Sequence, residues 1–260
     1  MKFRHLRYLL AMGLVNCLSV AALGANYATV QSNYKPLNWS LADKVQVANS
    51  DTASQAFNSN QATFLTYTSS LKEGVAYAGA NNAKLDPQRL YFFASYAPRI
   101  YFISNGGWYT DALGVTIGSA TAPNGKAPTG TNYTVFPNLN SPYNNTDSTK
   151  QVSKPSTFVP MQTGQFVQLP TVNVGQQMAL VFMSNLDSNG NPANVFYNDP
   201  NANQDNYQHM VAFFPTNSQY FIVGFEDMYG GGDGDYNDVI VVVDVGPTNA
   251  SLWRSGTLPK

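Results

Sequence analysis

The stretch GFEDMYGGGDGDYNDVIVVVDV, from Gly224 to Val245, combines an acidic, glycine-rich loop with a run of β-branched residues. It contains six acidic side chains and no lysine or arginine. Two carboxylates held about 4 Å apart repel each other by roughly 4 kcal/mol at an effective dielectric constant of 20. A fold that gathers these acids needs protons or a cation, and no basic side chain occurs between Lys154 and Arg254. A metal ion is the simplest external candidate.

The run VIVVVDV is one of several short apolar segments that predict β-strands. Most of these segments are rich in β-branched and aromatic residues, and several are apolar at successive positions, which is typical of strands buried on both faces. Nine such segments separated by turn residues predict an all-β fold, specifically a β-sandwich of jelly-roll type. The predicted strands are residues 99–104, 113–118, 133–136, 165–169, 178–183, 194–197, 210–214, 220–225 and 239–245.

The amino-terminal part of the chain has a different pattern. Apolar residues in the segment 54–71 have a loose helical spacing, which predicts a short helix or two, with Ser54 as the N-cap. The predicted organisation has four parts. These are a secretory signal peptide (1–25), an N-terminal extension with a short helix (26–90), a calcium-binding β-sandwich domain (91–250) and a C-terminal tail (251–260).

The first 25 residues have the features of a secretory leader. Lys2, Arg4 and Arg7 precede an apolar run and small residues that offer a cleavage site. We therefore expect a secreted or cell-surface protein with no membrane span. Cys17 lies inside this leader, and its lipidation is the alternative to ordinary cleavage.

Composition excludes several kinds of site from the mature chain. Cleavage removes the single cysteine, which excludes disulfides and thiolate metal sites. His209 is then the only histidine, so a two-histidine metal site cannot form within one chain. Loss of three basic residues from the total of 14 leaves 11 against 15 acids, a balance of −4. This mild acidity argues against a nucleic-acid partner.

The loop before the last strand has the donors that calcium prefers. Asp233, Asp235 and Asn237 alternate along the chain, and Asp238 follows directly. Residues two apart in a straight strand lie roughly 6.6 Å from each other, so the backbone must curl, as the neighbouring glycines permit. Calcium accepts six to eight oxygen ligands in flexible geometry. We expect a calcium site in which Asp233, Asp235 and Asp238 are the first candidates.

The stretch GFEDMYGGGDGDYNDVIVVV resembles the terminal signature of a family of bacterial exported domains, domain-of-unknown-function family 4114. Similar segments occur upstream, at residues 71–85, 99–117 and 195–214. The resemblance implies an exported β-sandwich that binds calcium and occurs in surface, adhesion or matrix proteins, and it implies no catalysis. The residues that match its motif are Glu226, Asp227, Asp233, Asp235, Asn237 and Asp238.

Two further groups of residues are candidates for binding. Asp199, Asn201, Asn203 and Asp205 form an oxygen-rich segment that could hold a second metal ion, although a solvated Asn/Asp turn is the favoured interpretation. Trp108 and Tyr109 follow a glycine pair, and loop aromatics of this kind can stack on sugars.

These features leave four functions open. The first is a non-catalytic, extracellular calcium-binding module that acts in cell-surface adhesion, a matrix or a biofilm, with a surface or matrix component as partner. The alternative is a calcium-dependent, lectin-like module that binds a glycan. A glycoside hydrolase would use paired carboxylates. A fibre subunit would self-associate by strand addition through VIVVVDV or through the segment 26–47.

Overall fold

The computed structural model describes residues 32–80, 90–119, 127–139 and 161–256. The predicted signal peptide and Cys17 lie outside the described residues. Within these ranges, no helix is long and apolar enough to cross a membrane.

In the described part of the chain, ten strands form two five-stranded sheets, which confirms the predicted all-β sandwich. The first sheet has the order β1-β4-β3-β6-β7 and the second has the order β5-β2-β10-β9-β8. The strands are β1 (Ser40–Leu41), β2 (Arg99–Asn105), β3 (Ala112–Ser119), β4 (Thr131–Phe136), β5 (Phe166–Gln168), β6 (Gln176–Leu186), β7 (Pro192–Tyr197), β8 (Met210–Phe213), β9 (Tyr220–Phe225) and β10 (Val239–Asp244).

The main core lies between the two sheets. The strands of the second sheet are apolar on both faces because both faces are covered. In β10, Val239, Val241 and Val243 face the core between the sheets, whereas Ile240 and Val242 pack into a second cluster on the outer face. Two α-helices cover this outer face. Strands that are buried on both sides need apolar residues at every position.

These helices are α1 (Thr52–Ser59) and α2 (Gln61–Thr68). Phe57 of α1 stacks on Tyr101 of β2 with ring centroids 3.8 Å apart, and Phe64 of α2 contacts Tyr220 edge-on at 5.3 Å. The predicted helical segment therefore consists of two helices that meet at Asn60. They pack on the outer face of the second sheet, in the second cluster.

The predicted N-cap at Ser54 is wrong, because the cap is Asp51. The Asp51 side chain accepts a hydrogen bond from the Ser54 backbone N–H, and the Ser54 hydroxyl oxygen accepts one from the Asp51 N–H. This is a capping box in which Ser54 occupies the third helical position. Asp51 also pairs with Arg99 at 2.7 Å, which ties α1 to β2. This partner holds the pKa of Asp51 well below its usual range.

The end of the chain forms a third helix, α3 (Pro247–Arg254), which crosses the predicted boundary at residue 250. Trp253 is fully buried between Phe92 and Phe221, and its indole N–H donates to the Tyr91 carbonyl at 2.6 Å. Residues 251–254 therefore pack with the sandwich.

Candidate metal centre

The acidic loop, residues 226–238, connects β9 to β10 at one end of the second sheet. These strands are antiparallel, and Phe225 pairs with Val239. The residues just beyond this pair, Glu226 and Asp227 on one side and Asp238 on the other, therefore lie opposite each other. Strand pairing alone brings three acids together.

Glu226, Asp227 and Asp238 form what we call the inner acid cluster. Each offers one carboxylate oxygen, and these oxygens lie within 4.8 Å of one another. Asp238 Oδ2 accepts the Asp227 backbone N–H at 2.8 Å, and Glu226 Oε2 accepts the Gly234 N–H at 3.2 Å. Glu226 and Asp227 are almost completely buried, with exposed fractions of 1% and 2%.

Two glycines are needed because the chain passes close to these carboxylates. A Cβ at Gly107, in the connection between β2 and β3, would lie 2.5 Å from Asp227 Oδ2. Gly232 has φ +45°, and a Cβ there would lie 2.1 Å from Glu226 Oε1. Both distances are too short for a real side chain, so only glycine leaves room for the acids in these positions.

A second group, the outer acid cluster, consists of Glu73, Asp233 and Asp235, whose ligand oxygens also lie within 4.8 Å of one another. Glu73 comes from a turn in the N-terminal extension. That turn is held against the acidic loop by two hydrogen bonds, Gly74 N–H to Asp235 Oδ2 and Tyr77 N–H to the Gly234 carbonyl, both 2.8 Å. The three first candidates from the sequence are thus divided, since Asp238 belongs to the inner cluster.

The pKa values of the inner acids lie above the usual range of carboxyl groups. Burial and the neighbouring Asp238 carboxylate raise the pKa of Glu226 to about 9 and that of Asp227 to about 8. Burial raises the pKa of Asp238 to about 6. In the part of the chain that the structure describes, the salt bridges are Arg99–Asp51 and His209–Asp205, and neither includes an inner acid.

Asp111 is a seventh acid near this centre, and sequence reasoning missed it. It precedes β3, is completely buried, and accepts the Asn185 backbone N–H at 3.0 Å through Oδ1. The neighbouring Ser184 hydroxyl donates to the Asp227 carbonyl. Among the described residues, Asp111 Oδ2 and Asp227 Oδ2 make no hydrogen bond. Burial and the Asp227 carboxylate raise the pKa of Asp111 well above its ordinary value.

Asn237 contributes to the loop through hydrogen bonds. Its backbone N–H and its side-chain amide donate to the two oxygens of Asp235, each at 2.9 Å. Asn237 therefore fixes the orientation of the Asp235 carboxylate.

The oxygen-rich segment 199–205 is closed by its own hydrogen bonds. Asp199 Oδ1 accepts the Asn201 backbone N–H at the start of a 3₁₀ turn, and Asn203 bonds to the backbone of Tyr197 and Tyr207. In the described ranges, neither Asp199 nor Asp205 belongs to a convergent group of three acidic or histidine side chains.

Asp205 instead orients His209. Nε2 of the His209 ring lies 2.9 Å from Asp205 Oδ2, and Nδ1 lies 2.9 Å from the Glu226 carbonyl oxygen. Its ring also stacks on Phe196 with centroids 3.4 Å apart. His209 is fully buried and fixes the start of the acidic loop.

A cavity of about 520 Å³ opens beside the inner acid cluster. Trp108 and Tyr109 line it, as the sequence suggested for a ligand site, and the exposed fraction of Trp108 is 60%. The remaining lining residues are Glu73, Thr110, Asn185, Leu186, Glu226, Asp227, Met228, Asp233 and Asp238.

Comparison with curated proteins and with solved structures gives no match. A family model matches residues 161–246, which include β5 to β10 and the whole acidic loop. The similar segments at residues 71–85 and 99–117 lie outside this match. The predicted family resemblance is confirmed for the matched part, since residues 161–246 match the model of the family described as Domain of unknown function (DUF4114).

Proposed function

We propose that the sandwich is a non-catalytic calcium-binding module whose ion is held by the inner acid cluster. The observation that carries this proposal is the buried, unpaired oxygen Asp227 Oδ2 within a group of three convergent carboxylates. A buried ionised carboxylate without a partner costs several kcal/mol. A cation at this point removes that cost.

The donor set fits calcium in spacing and type. Oxygens bound to one Ca²⁺ at about 2.4 Å lie no more than about 4.8 Å apart, and the oxygens of Glu226, Asp227 and Asp238 meet this limit. Zinc prefers nitrogen and sulfur ligands, and both nitrogens of His209 are engaged in hydrogen bonds. The inner cluster contains only hard oxygen donors, which are the ligands of calcium.

The ion also explains why the loop carries so many acids. A bound divalent cation favours the ionised forms of Glu226 and Asp227, which otherwise retain protons at neutral pH. Closure of the loop and binding of the ion then support each other, because a ligand that binds only the folded state raises its stability. We infer that calcium stabilises the end of the sandwich at which β9 and β10 meet.

The proposed role follows from the leader-like residues 1–25 together with this centre. We propose that the protein is secreted or displayed at the cell surface and acts there in adhesion, matrix or biofilm structure.

Three carboxylates that converge on one point suit a shared cation. A glycoside hydrolase needs two carboxyl groups set apart across a sugar.

Elemental analysis and thermal unfolding of the protein lacking residues 1–25 test the calcium site. We expect about one bound calcium per chain and a higher melting temperature in calcium than in chelator. At a free calcium concentration of 100 Kd the gain is about 2.7 kcal/mol. An equal melting temperature in calcium and chelator would overturn the proposal.

Two variants give this experiment its control. Asp227→Asn keeps the side-chain shape, so we expect calcium affinity to fall by at least about tenfold, a change of 1.4 kcal/mol. Asp43→Asn removes an exposed acid whose carboxylate contacts the backbone N–H of the adjacent Lys44. We expect the Asp43 variant to bind calcium as the unaltered chain does.

A further inference from the structure

The lining of the cavity beside the inner acid cluster combines polar and apolar side chains. Glu226, Asp227 and Asp238 line it together with Trp108 and Met228. Trp108 and Met228 are exposed by 60% and 45% although both are large and apolar. A volume of about 520 Å³ lies within the range of about 300–1,000 Å³ that is usual for small-molecule sites.

We propose that this cavity binds a neutral saccharide in a calcium-dependent manner, a proposal that rests on the calcium site inferred above. The mixed chemistry of the cavity lining leads to this class of ligand. A sugar presents hydroxyl groups on its edges and an apolar face of C–H groups. It can therefore bond to the polar groups of the lining through its hydroxyls and pack its apolar face on the Trp108 ring.

A calcium ion held by the inner acid cluster would still have open coordination positions. Ca²⁺ takes six to eight oxygen ligands, and the inner acid cluster offers three carboxylates. Ligand positions therefore remain for hydroxyl oxygens or water. Thr110 and Asn185 also line the cavity and add neutral hydrogen-bonding groups.

Charge decides that the saccharide is neutral. Five carboxylates line the cavity, those of Glu73, Glu226, Asp227, Asp233 and Asp238, and no lysine or arginine is among the lining residues. One divalent cation leaves a net negative charge there when all five are ionised. A phosphate, a sulfated sugar or a uronic acid would be repelled.

Asn185 supports a role for this surface beyond packing. It lies within β6 but has φ +56°, a left-handed conformation that is uncommon in a strand. Its backbone N–H is directed to Asp111, and its side chain is exposed at the cavity. Backbone strain of this kind is concentrated at binding sites.

The test is a glycan array that carries neutral oligosaccharides ending in glucose, galactose, mannose or fucose, and acidic ones ending in sialic or uronic acid. The chain lacking residues 1–25 is applied in calcium and in chelator, and hits are measured by isothermal titration. We expect at least one neutral sugar to bind in calcium and not in chelator. Trp108→Ala should weaken that binding by about tenfold.

Tyr229→Ala is the matched control, because Tyr229 is an aromatic residue of the acidic loop that is 53% exposed but does not line the cavity. It should bind sugar as the unaltered chain does. Binding of acidic glycans alone, or binding unchanged in the Trp108 variant, would overturn the proposal. If calcium raises the melting temperature but no neutral glycan binds, the sugar site fails while the calcium site stands. If calcium has no effect on the melting temperature, both fail.

Discussion

The Gly74 backbone N–H donates a 2.8 Å hydrogen bond to Asp235 Oδ2 and thereby joins the N-terminal extension to the acidic loop. Asp235 also accepts two hydrogen bonds from Asn237. Hydrogen bonds to a charged group contribute about 1.5–3 kcal/mol. We expect Asp235→Asn to lower the free energy of unfolding by about 1–3 kcal/mol, measured by urea denaturation in chelator.

Asp233→Asn is the control for this variant. Asp233 is exposed, and its carboxylate accepts one long hydrogen bond of 3.3 Å from the Asp235 N–H. A small effect of less than about 0.5 kcal/mol is expected there. Equal losses in the two variants would contradict a special role for Asp235.

The pKa values of the inner acid cluster predict an unusual pH dependence in chelator. The pKa of Glu226 rises from 4.5 to about 9 and that of Asp227 from 3.8 to about 8. At pH values between the unfolded-state and folded-state pKa of each acid, the folded state binds more protons than the unfolded chain. The free energy of unfolding therefore falls as pH rises. We expect a loss of at least about 2 kcal/mol between pH 5 and pH 9, since one pKa unit corresponds to 1.36 kcal/mol.

Calcium should reverse this trend, because ion binding releases the same protons and its affinity rises with pH. Urea denaturation at pH 5, 7 and 9, with calcium and with chelator, measures both effects. Stability that is constant or increases with pH in chelator would show that the acids are already ionised in the folded state.

A substitution at Gly107 tests the proposed metal centre by steric displacement. A Cβ at this position would lie 2.5 Å from Asp227 Oδ2 and 3.1 Å from Asp238 Cβ, so Gly107→Ala must displace one of these two proposed ligands. We expect calcium affinity to fall by about tenfold, measured by isothermal titration.

Gly230→Ala separates displacement from backbone strain. Gly230 has φ +81°, but a Cβ there would have no atom within 4 Å. It should cost about 1–2 kcal/mol of stability and leave calcium affinity within about twofold. A larger loss of affinity in the Gly230 variant than in the Gly107 variant would be the contrary result.

The complete burial of Trp253 predicts that α3 is necessary for the stability of the sandwich. Its side chain is fully buried against Phe92 and Phe221. Trp253→Ala should cost about 3–5 kcal/mol, whereas Leu252→Ala, at a half-buried neighbour, should cost less than about 2 kcal/mol. Chemical denaturation of both variants measures the difference, and similar losses would contradict the prediction.

The sequence is sufficient to predict the strands, because burial on both faces requires apolar runs such as 220–225 and 239–245. All nine predicted strands occur, with ends displaced by at most three residues. The two-residue strand β1 was not predicted, since so short a segment has no period. Its parallel pairing with β4 depends on a distant partner.

The candidate site was predictable only where its residues are close in sequence. Glu226, Asp227 and Asp238 flank one loop, and the antiparallel pairing of its strands brings them together. Glu73 and Asp111 come from distant segments, and only tertiary packing places them near the loop. The one local signal for Asp111 is an acid directly before the apolar strand β3, a position that usually requires a partner.

The suggested fibre assembly through VIVVVDV meets a structural obstacle. This run forms β10, which is paired on both sides, with β2 and with β9. Residues 40–41 of the N-terminal segment already pair with β4 of the same sandwich. An incoming strand would have to displace an existing neighbour at either place.

The pairing of β2 with β10 also has a consequence for the order of folding. Arg99 lies opposite Asp244, so the central pair of the second sheet joins the beginning of the sandwich to its end. Contacts between residues so far apart in sequence form slowly, because a long loop must close first. The inner acids converge as soon as β9 pairs with β10, but Gly107 and Asp111, which lie beside Asp227, reach them only after β2 has joined β10. The proposed calcium site is therefore completed late in folding.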